Sequence, residues 1–251
     1  MKTDEVMCVL VLNTESFQKE DELKERLLER FPNIKTIVKN INKKNTNVIL
    51  GNKNFVIYGS GYIQDKLGEY TFNISANSFY QVNPVQTEKL YNLAIDGAEL
   101  SKKDTVFDLY CGIGTIGIFA SKYAKKVYGI EIVPEAIEDA KENARINNIQ
   151  NIEFTAGDVE KLLQELIYDK KIKPDVVFVD PPRRGLDENT VNNLLKIEPK
   201  KIIYISCNPA TLMRDLKVME GDYDITRVTP VDLFPFTNHG ETVAVLKNRN
   251  I

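Results

Sequence analysis

The sequence is poor in the residues that would open several routes of chemistry. It has three cysteines, Cys8, Cys111 and Cys207, spaced too widely for a disulfide framework or a metal-ligand cluster, and a single histidine, His239. No metal site is expected, and a thiol is left free for reaction. No apolar run approaches the roughly 18 residues that a membrane span needs, and the opening Met-Lys-Thr-Asp-Glu has no signal-like apolar stretch. No membrane partner is expected, and the cytoplasm is the expected location. The chain also lacks net positive charge: its balance of −3 argues against indiscriminate binding to nucleic-acid phosphates. Six lysines between residues 33 and 66, at 35, 39, 43, 44, 53 and 66, face one acid, Asp65, and read either as a phosphate-facing surface or as a solvated one.

What is present suffices for a core, since 43% of the 251 residues are hydrophobic, enough for one large or two modest domains. The pattern predicts a small α/β domain over residues 1–75. Its expected parts are an apolar strand at Val6 to Leu12, an amphipathic helix from Lys19 to Phe31, and short strands at Ile34 to Val38, Asn47 to Leu50, Phe55 to Gly59 and Glu69 to Ile74. Residues 76–251 then alternate strand and helix. Strands are expected at Thr105 to Leu109, Lys126 to Glu131, Ile152 to Ala156, Asp175 to Asp180, Lys201 to Ser206, Ile225 to Asp232 and Thr242 to Leu246. Repeated βα units imply a parallel sheet covered on both faces, a Rossmann-like α/β fold.

The segment from Thr105 to Gly117, an apolar strand with Asp108 followed by glycines at 112, 114 and 117, reads as a nucleotide-ligand loop. The glycines meet the G-x-G-x-x-G spacing of dinucleotide sites, with Glu131 placed to take ribose hydroxyls. Asp108 favours the other reading: a carboxylate would repel a pyrophosphate and attract the ammonium and sulfonium of S-adenosylmethionine. Ligands of such sheets bind beyond the carboxyl ends of the strands, where Asp108, Glu131, Asp158, Asp180 and Cys207 all fall. Asp158 could reach an adenine amino group or cap the following helix.

Asp180-Pro-Pro-Arg-Arg-Gly185 makes a rigid loop, because its two prolines fix the backbone and remove two donors. Amino-group methyltransferases carry an aromatic residue after such a pair, to stack the target base. Arg183 stands there instead, which weakens an amino-nitrogen reading. Cys207 ends a buried strand, just before Asn208-Pro209 and a helix whose amino terminus is expected to lower the thiol pKa. Arg183, Arg184 and Arg214 are candidate phosphate contacts.

Phe79-Tyr-Gln-Val-Asn-Pro84, Asp108-Leu-Tyr-Cys-Gly-Ile-Gly-Thr115, Asp180-Pro-Pro-Arg183, Ser206-Cys-Asn-Pro209, and Phe234-Pro235 with Thr237, His239 and Glu241 occur in this order. In this set the chain resembles the RNA uracil-5 methyltransferase family over nearly its whole length. The resemblance implies an S-adenosylmethionine-dependent methyltransferase fold preceded by a central domain that faces RNA. It implies Cys207 as the nucleophile that adds to carbon 6 of uracil and Glu241 as the base that removes the carbon 5 proton.

By the same resemblance Gln81, Asp108, Tyr110, Gly112, Gly114, Thr115, Glu131, Asp158 and Asp180 meet the cofactor. Asp180, Phe79, Arg183 and His239 meet the target base or its RNA. Cytosine-5 enzymes carry a further cysteine in the loop where this chain has Asp180 to Arg183. Many members of the family begin with an RNA-binding barrel, and some hold an iron–sulfur cluster; neither is expected in this chain. The Pro209-Ala-Thr-Leu212 segment inclines the reading to ribosomal over transfer RNA, and a monomer is expected.

Overall fold

The computed structural model describes residues 2–46 and 48–251, and the chain divides into two compact units, Met1–Tyr80 and Gln81–Ile251. In the first unit β1 (Val6–Leu12) pairs in parallel with β2 (Ile34–Ile41), which is joined to it through α1 (Glu20–Arg30). β3 (Lys53–Gly59) closes the other edge of β2, antiparallel. A separate hairpin follows, β4 (Tyr62–Leu67) with β5 (Tyr70–Ser75).

Two expectations for this unit fail for identifiable reasons. Val48 to Leu50 form no strand, and Asn47 lies outside the described residues. Asn42 donates to the carbonyls of Val48 and Ile49, and Asn40 exchanges hydrogen bonds with Gly51, so side-chain amides satisfy the backbone that a sheet would otherwise take. The strand β4 is hidden from a pattern reading because its inward positions are Ile63, Asp65 and Leu67. A buried carboxylate in the middle conceals the alternation. The lysine face is partly spoken for: Lys39 is buried and paired with Glu20, and Lys53 is paired with Glu15.

The second unit opens with α2 (Pro84–Ala98), entered through Asn83, whose side chain accepts from the Gln86 amide. Then come β6 (Thr105–Leu109), α3 (Thr115–Ser121), β7 (Lys126–Glu131), α4 (Pro134–Ile146), β8 (Ile152–Ala156) and α5 (Val159–Gln164). The remaining elements are β9 (Val176–Val179), α6 (Glu188–Ile197), β10 (Lys201–Ser206), α7 (Pro209–Met219), β11 (Tyr223–Val231) and β12 (Glu241–Asn248). The strands form one seven-stranded sheet in the order β11-β12-β10-β9-β6-β7-β8. The central strands are apolar along their length because both faces are covered; all four residues of β9 are buried, as are five of six in β10.

The sheet is not wholly parallel, as the βα rhythm had suggested. β12 runs antiparallel to both β10 and β11. Only residues 232–240 join β11 to β12, fewer than the dozen or so that a crossover to a parallel neighbour takes. This reversal brings the first residue of β12 to the sheet edge where β6, β7, β8, β9 and β10 end.

Candidate active site

The glycine loop is held from behind by Asp108. This residue lies within β6, fully buried, and its Oδ2 accepts from the Gly117 amide at 2.8 Å. A side chain at Gly117 would meet that oxygen at 2.9 Å, and one at Gly114, whose φ is +82°, would meet the Phe154 ring at 2.5 Å. Both glycines therefore answer to close packing of α3 on the sheet. Burial raises the Asp108 pKa to about 8, with Asp180 and Glu131 adding and the Gly117 hydrogen bond opposing. Without a ligand, burial thus favours the protonated form of Asp108, whose Oδ2 braces the loop through Gly117.

The front of the loop offers more to a ligand. Tyr110 and Gly112 both have left-handed backbones, at φ 64° and 53°. Glu131, the last residue of β7, accepts from the Gly112 amide at 3.2 Å through one oxygen and from the Val133 amide at 3.0 Å through the other. Its carboxylate is fixed while lone pairs remain available. A side chain added at Gly112 would meet nothing within 4 Å, so open space faces that backbone. One buried carboxylate oxygen, Asp108 Oδ1, has no protein partner. An oriented carboxylate, an open glycine face and an unsatisfied acid fit a nucleoside with a cationic tail.

The other expected cofactor residues differ in what surrounds them. Thr115 begins α3, with its hydroxyl 3.2 Å from that of Tyr91. Gln81 is buried. Asp158 is exposed and caps α5 by accepting from the Lys161 amide at 3.1 Å, the structural one of its two expected roles. The Tyr110 phenol is half-buried beside Thr190, and burial raises its pKa. Cys111 is buried, and its thiol is pushed well up by burial and by Asp108 and Glu131, the setting of a packing residue.

Cys207 and Glu241 are brought together by strand register. Ser206 of β10 pairs with Thr242 of β12, so one step further along each chain Cys207 stands opposite Glu241. Both line a cavity of about 610 Å³, together with Arg183, Pro230, Thr237 and His239. Glu241 is only 4% exposed, and its pKa rises to about 8, first through burial and then through the charge of Asp180, against Arg183. Asp180, immediately after β9, is raised to about 7 by burial.

The thiol pKa is raised, not lowered, and the helix expectation fails. Burial is the largest cause, followed by the Glu241 and Asp180 carboxylates, with Arg183 opposing. Asn208 instead spends its side chain on architecture: it accepts from the Ala210 amide at 3.1 Å and donates to the Arg183 carbonyl at 3.0 Å. Thr211 donates to the same carbonyl at 3.2 Å.

Arg214, its side chain half-exposed, has a structural role. It donates to Asp215 and to the carbonyls of Arg184 and Leu186, while buried Asp215 also accepts from the Leu186 amide and, at 2.7 Å, from the Tyr204 hydroxyl. These clamps on the Asp180 loop are not expected from sequence. An Asn-Pro step at a helix start signals the Asn208 cap, but nothing marks Asp215.

His239 is exposed and among the residues that line the cavity, its amide donating to the Thr237 hydroxyl at 3.1 Å. In the first unit Phe79 is 74% exposed, whereas Tyr80 packs its ring 6.3 Å from that of Phe72. Among the described residues no three His, Cys, Asp or Glu gather to hold a metal ion, and no helix is long and apolar enough to cross a membrane.

A family model described as tRNA (uracil-5-)-methyltransferase matches residues 6–249. An uncharacterized RNA methyltransferase of Oceanobacillus iheyensis is 50% identical over 245 residues, covering 97% of this chain and 53% of that protein. A similarly named protein of Halalkalibacterium halodurans is 50% identical over 249 residues, covering 99% and 54%. The chain thus spans about half the length of the curated relatives it matches. Among solved structures, Pyrococcus abyssi tRNA (uracil-54, C5)-methyltransferase, in complex with S-adenosyl-L-homocysteine, superposes with a TM-score of 0.76 at 30% identity, over 96% of this chain and 56% of that one. The M. jannaschii tRNA m1G37 methyltransferase, at 17% identity and a TM-score of 0.61 over 97% and 74%, shares the fold.

Proposed function

The chain belongs to the tRNA (uracil-5-)-methyltransferase family, and from that premise we propose that it methylates carbon 5 of a uridine in RNA, with S-adenosylmethionine as the methyl donor. The observation that carries the reading is the register that sets Cys207 opposite Glu241 on one cavity wall. A pair made of a nucleophile and a base suits a carbon that must first be activated and then deprotonated.

Carbon 5 of uracil is weakly nucleophilic. In the proposed route the Cys207 thiolate forms a bond to carbon 6, and the electron pair of the 5,6 double bond moves into an enolate. When bound, the cofactor supplies an electrophilic methyl group to carbon 5. Glu241 then removes the carbon 5 proton, the double bond re-forms and the bond from carbon 6 to sulfur breaks, returning the thiolate. Asp180, whose charge is felt by both Cys207 and Glu241, would hydrogen-bond the uracil edge. The Glu131 carboxylate and the open Gly112 backbone would hold the nucleoside of the cofactor, and Asp108 keeps their loop in place.

The Pro209 to Leu212 segment supports ribosomal RNA as the substrate class. The likeness to the P. abyssi tRNA (uracil-54, C5)-methyltransferase supports transfer RNA as the second reading. The test is mass spectrometry of the intact chain after incubation with S-adenosylmethionine and 5-fluorouridine-substituted ribosomal or transfer RNA. Fluorine cannot leave as a cation, so the reaction should stop at a covalent protein–RNA adduct carrying one added methyl. The adduct should be absent with Cys207→Ala, and its yield should separate the two RNAs. Cofactor binding without any adduct would overturn the reading.

A further inference from the structure

The loop between β11 and β12 contains a residue that the chemistry above does not use. Phe234, Pro235, Phe236 and Thr237 form a tight turn in which the Thr237 amide donates to the Phe234 carbonyl at 3.2 Å and the Thr237 hydroxyl to the same oxygen at 2.7 Å. Proline at the second position and a φ of +67° at the third, Phe236, are the marks of a type II turn. That third position normally takes glycine or asparagine, because a side chain there is strained. A phenylalanine is a genuine outlier.

No packing of the Phe236 side chain repays this strain. The Phe236 ring is fully exposed and adds nothing to the core. Its surroundings are nonetheless fixed: Leu233 is buried with its carbonyl held by Asn83, and Thr237, Asn238 and His239 line the cavity of Cys207 and Glu241. Among the described residues the only two aromatics with positive φ are Tyr110, in the glycine loop, and Phe236. Strain of this kind clusters where a side chain is presented to a ligand.

We propose that Phe236 is an RNA-positioning residue whose exposed ring stacks on a nucleobase adjoining the target uridine at the cavity mouth. The inference rests on the RNA reading of the site and adds to it. A base has an apolar face that matches the ring, and stacking tolerates any sequence. The role also suits a chain whose net charge of −3 limits what phosphate contacts alone can supply. A target base that must leave its stack to reach Cys207 leaves a neighbour with one uncovered face.

The experiment measures binding of a fluorescein-labelled, unstructured RNA oligonucleotide containing a single uridine, by anisotropy, alongside the thermal midpoint of each variant. Phe236→Gly should hold or raise the thermal midpoint, since glycine suits the turn, yet weaken RNA binding by roughly 5- to 100-fold. Phe236→Trp should keep the affinity. An abasic site beside the uridine should weaken binding to the wild type and cost Phe236→Gly nothing further. Unchanged RNA affinity in Phe236→Gly overturns the inference alone, because the wild-type adduct with 5-fluorouridine RNA reports separately on the underlying reading. A loss of affinity that only follows a loss of stability overturns it as well, and so does a wild type that does not bind the oligonucleotide.

Discussion

Cys207 and Glu241 meet at one cavity because β12 runs backwards: Ser206, the last residue of β10, pairs with Thr242, so the residue after the one and the residue before the other fall at the same sheet edge. A parallel last strand would have delivered its amino-terminal residue to the far end of the sheet. The proposed separation of roles, nucleophile from one strand and base from its neighbour, thus rests on the single antiparallel strand in this sheet. It predicts that the two residues act at different stages. Cys207→Ala should give no adduct with any RNA. Glu241→Gln should still transfer the methyl but be unable to release product, so that a methylated covalent complex accumulates on ordinary uridine RNA, visible by intact mass. An inactive Glu241→Gln that forms no adduct would remove Glu241 from the second stage.

The acids around this pair predict a particular dependence on pH. Cys207 is raised by burial and by Glu241 and Asp180, and Glu241 itself lies at about 8. Each is neutral below its pKa and charged above it, and the reacting forms are the charged ones. Adduct formation, which needs the thiolate, should therefore be slow at neutral pH and keep rising above the ordinary thiol range, whereas product release, which needs the Glu241 carboxylate, should climb through about pH 8. Removing the Glu241 charge relieves the thiol, so in Glu241→Gln the midpoint should move to lower pH. Arg183 opposes the rise, so Arg183→Ala should move it higher. The check is single-turnover adduct formation against pH for the three proteins.

Much of this is legible in the chain, and the misses have physical causes. The strands of the second unit at Thr105–Leu109, Lys126–Glu131, Ile152–Ala156 and Lys201–Ser206 fall where the sequence pattern puts them: the apolar runs of Thr105–Leu109 and Lys201–Ser206 are covered on both faces, and the edge strand Ile152–Ala156 starts with a buried–exposed alternation. Asp65 conceals β4 because a buried carboxylate breaks the alternation on which such a reading depends. The sequence places Asp108 at the strand end, facing a ligand; that it lies one residue inside, bonded to Gly117, is decided by the packing of α3. The direction of the Cys207 shift escapes for a related reason. A helix start nearby in sequence is visible, whereas two carboxylates delivered by β9 and β12 are not.

Asp108 also marks the stability curve. Its folded pKa of about 8 lies above an unfolded value near 4, so the folded state holds a proton that the unfolded state has released. The contribution is complete below about pH 4 and is lost as pH rises through about 8, with Asp180 and Glu241 acting in the same sense. Thermal midpoints should fall across pH 5 to 9. In Asp108→Asn the loss of unfolding free energy over this range should shrink by on the order of a few kcal/mol, a difference that chemical denaturation at pH 5 and pH 8.5 resolves.

Asn208 ties two functional loops to one helix. Asn208→Ala removes the cap of α7, which should cost about 1 kcal/mol, and frees the Arg183 carbonyl from one of its two donors. If Asn208 positions the Asp180 loop against Cys207, the maximal rate of adduct formation should drop by more than the stability loss explains, with cofactor affinity unchanged. Asn208→Asp keeps the cap acceptor but not the donor to Arg183, so it should restore stability without restoring the rate. Rates and melting curves for the two variants separate the contributions.

Gly112 and Gly114 differ in what a methyl group would meet, and the difference locates the cofactor. At Gly114 an added Cβ would lie 2.5 Å from the Phe154 ring and the backbone is left-handed, so Gly114→Ala should unfold or severely destabilise the second unit. At Gly112 only the backbone, at φ 53°, opposes a side chain, and nothing lies within 4 Å. Gly112→Ala should cost roughly 1–2 kcal/mol of stability. Its methyl would nonetheless enter the open space beside Glu131 that the proposed nucleoside fills. Calorimetric titration with S-adenosylhomocysteine should then show binding weakened far beyond that stability loss. Undiminished binding in a folded Gly112→Ala protein would place the nucleoside elsewhere than against this loop.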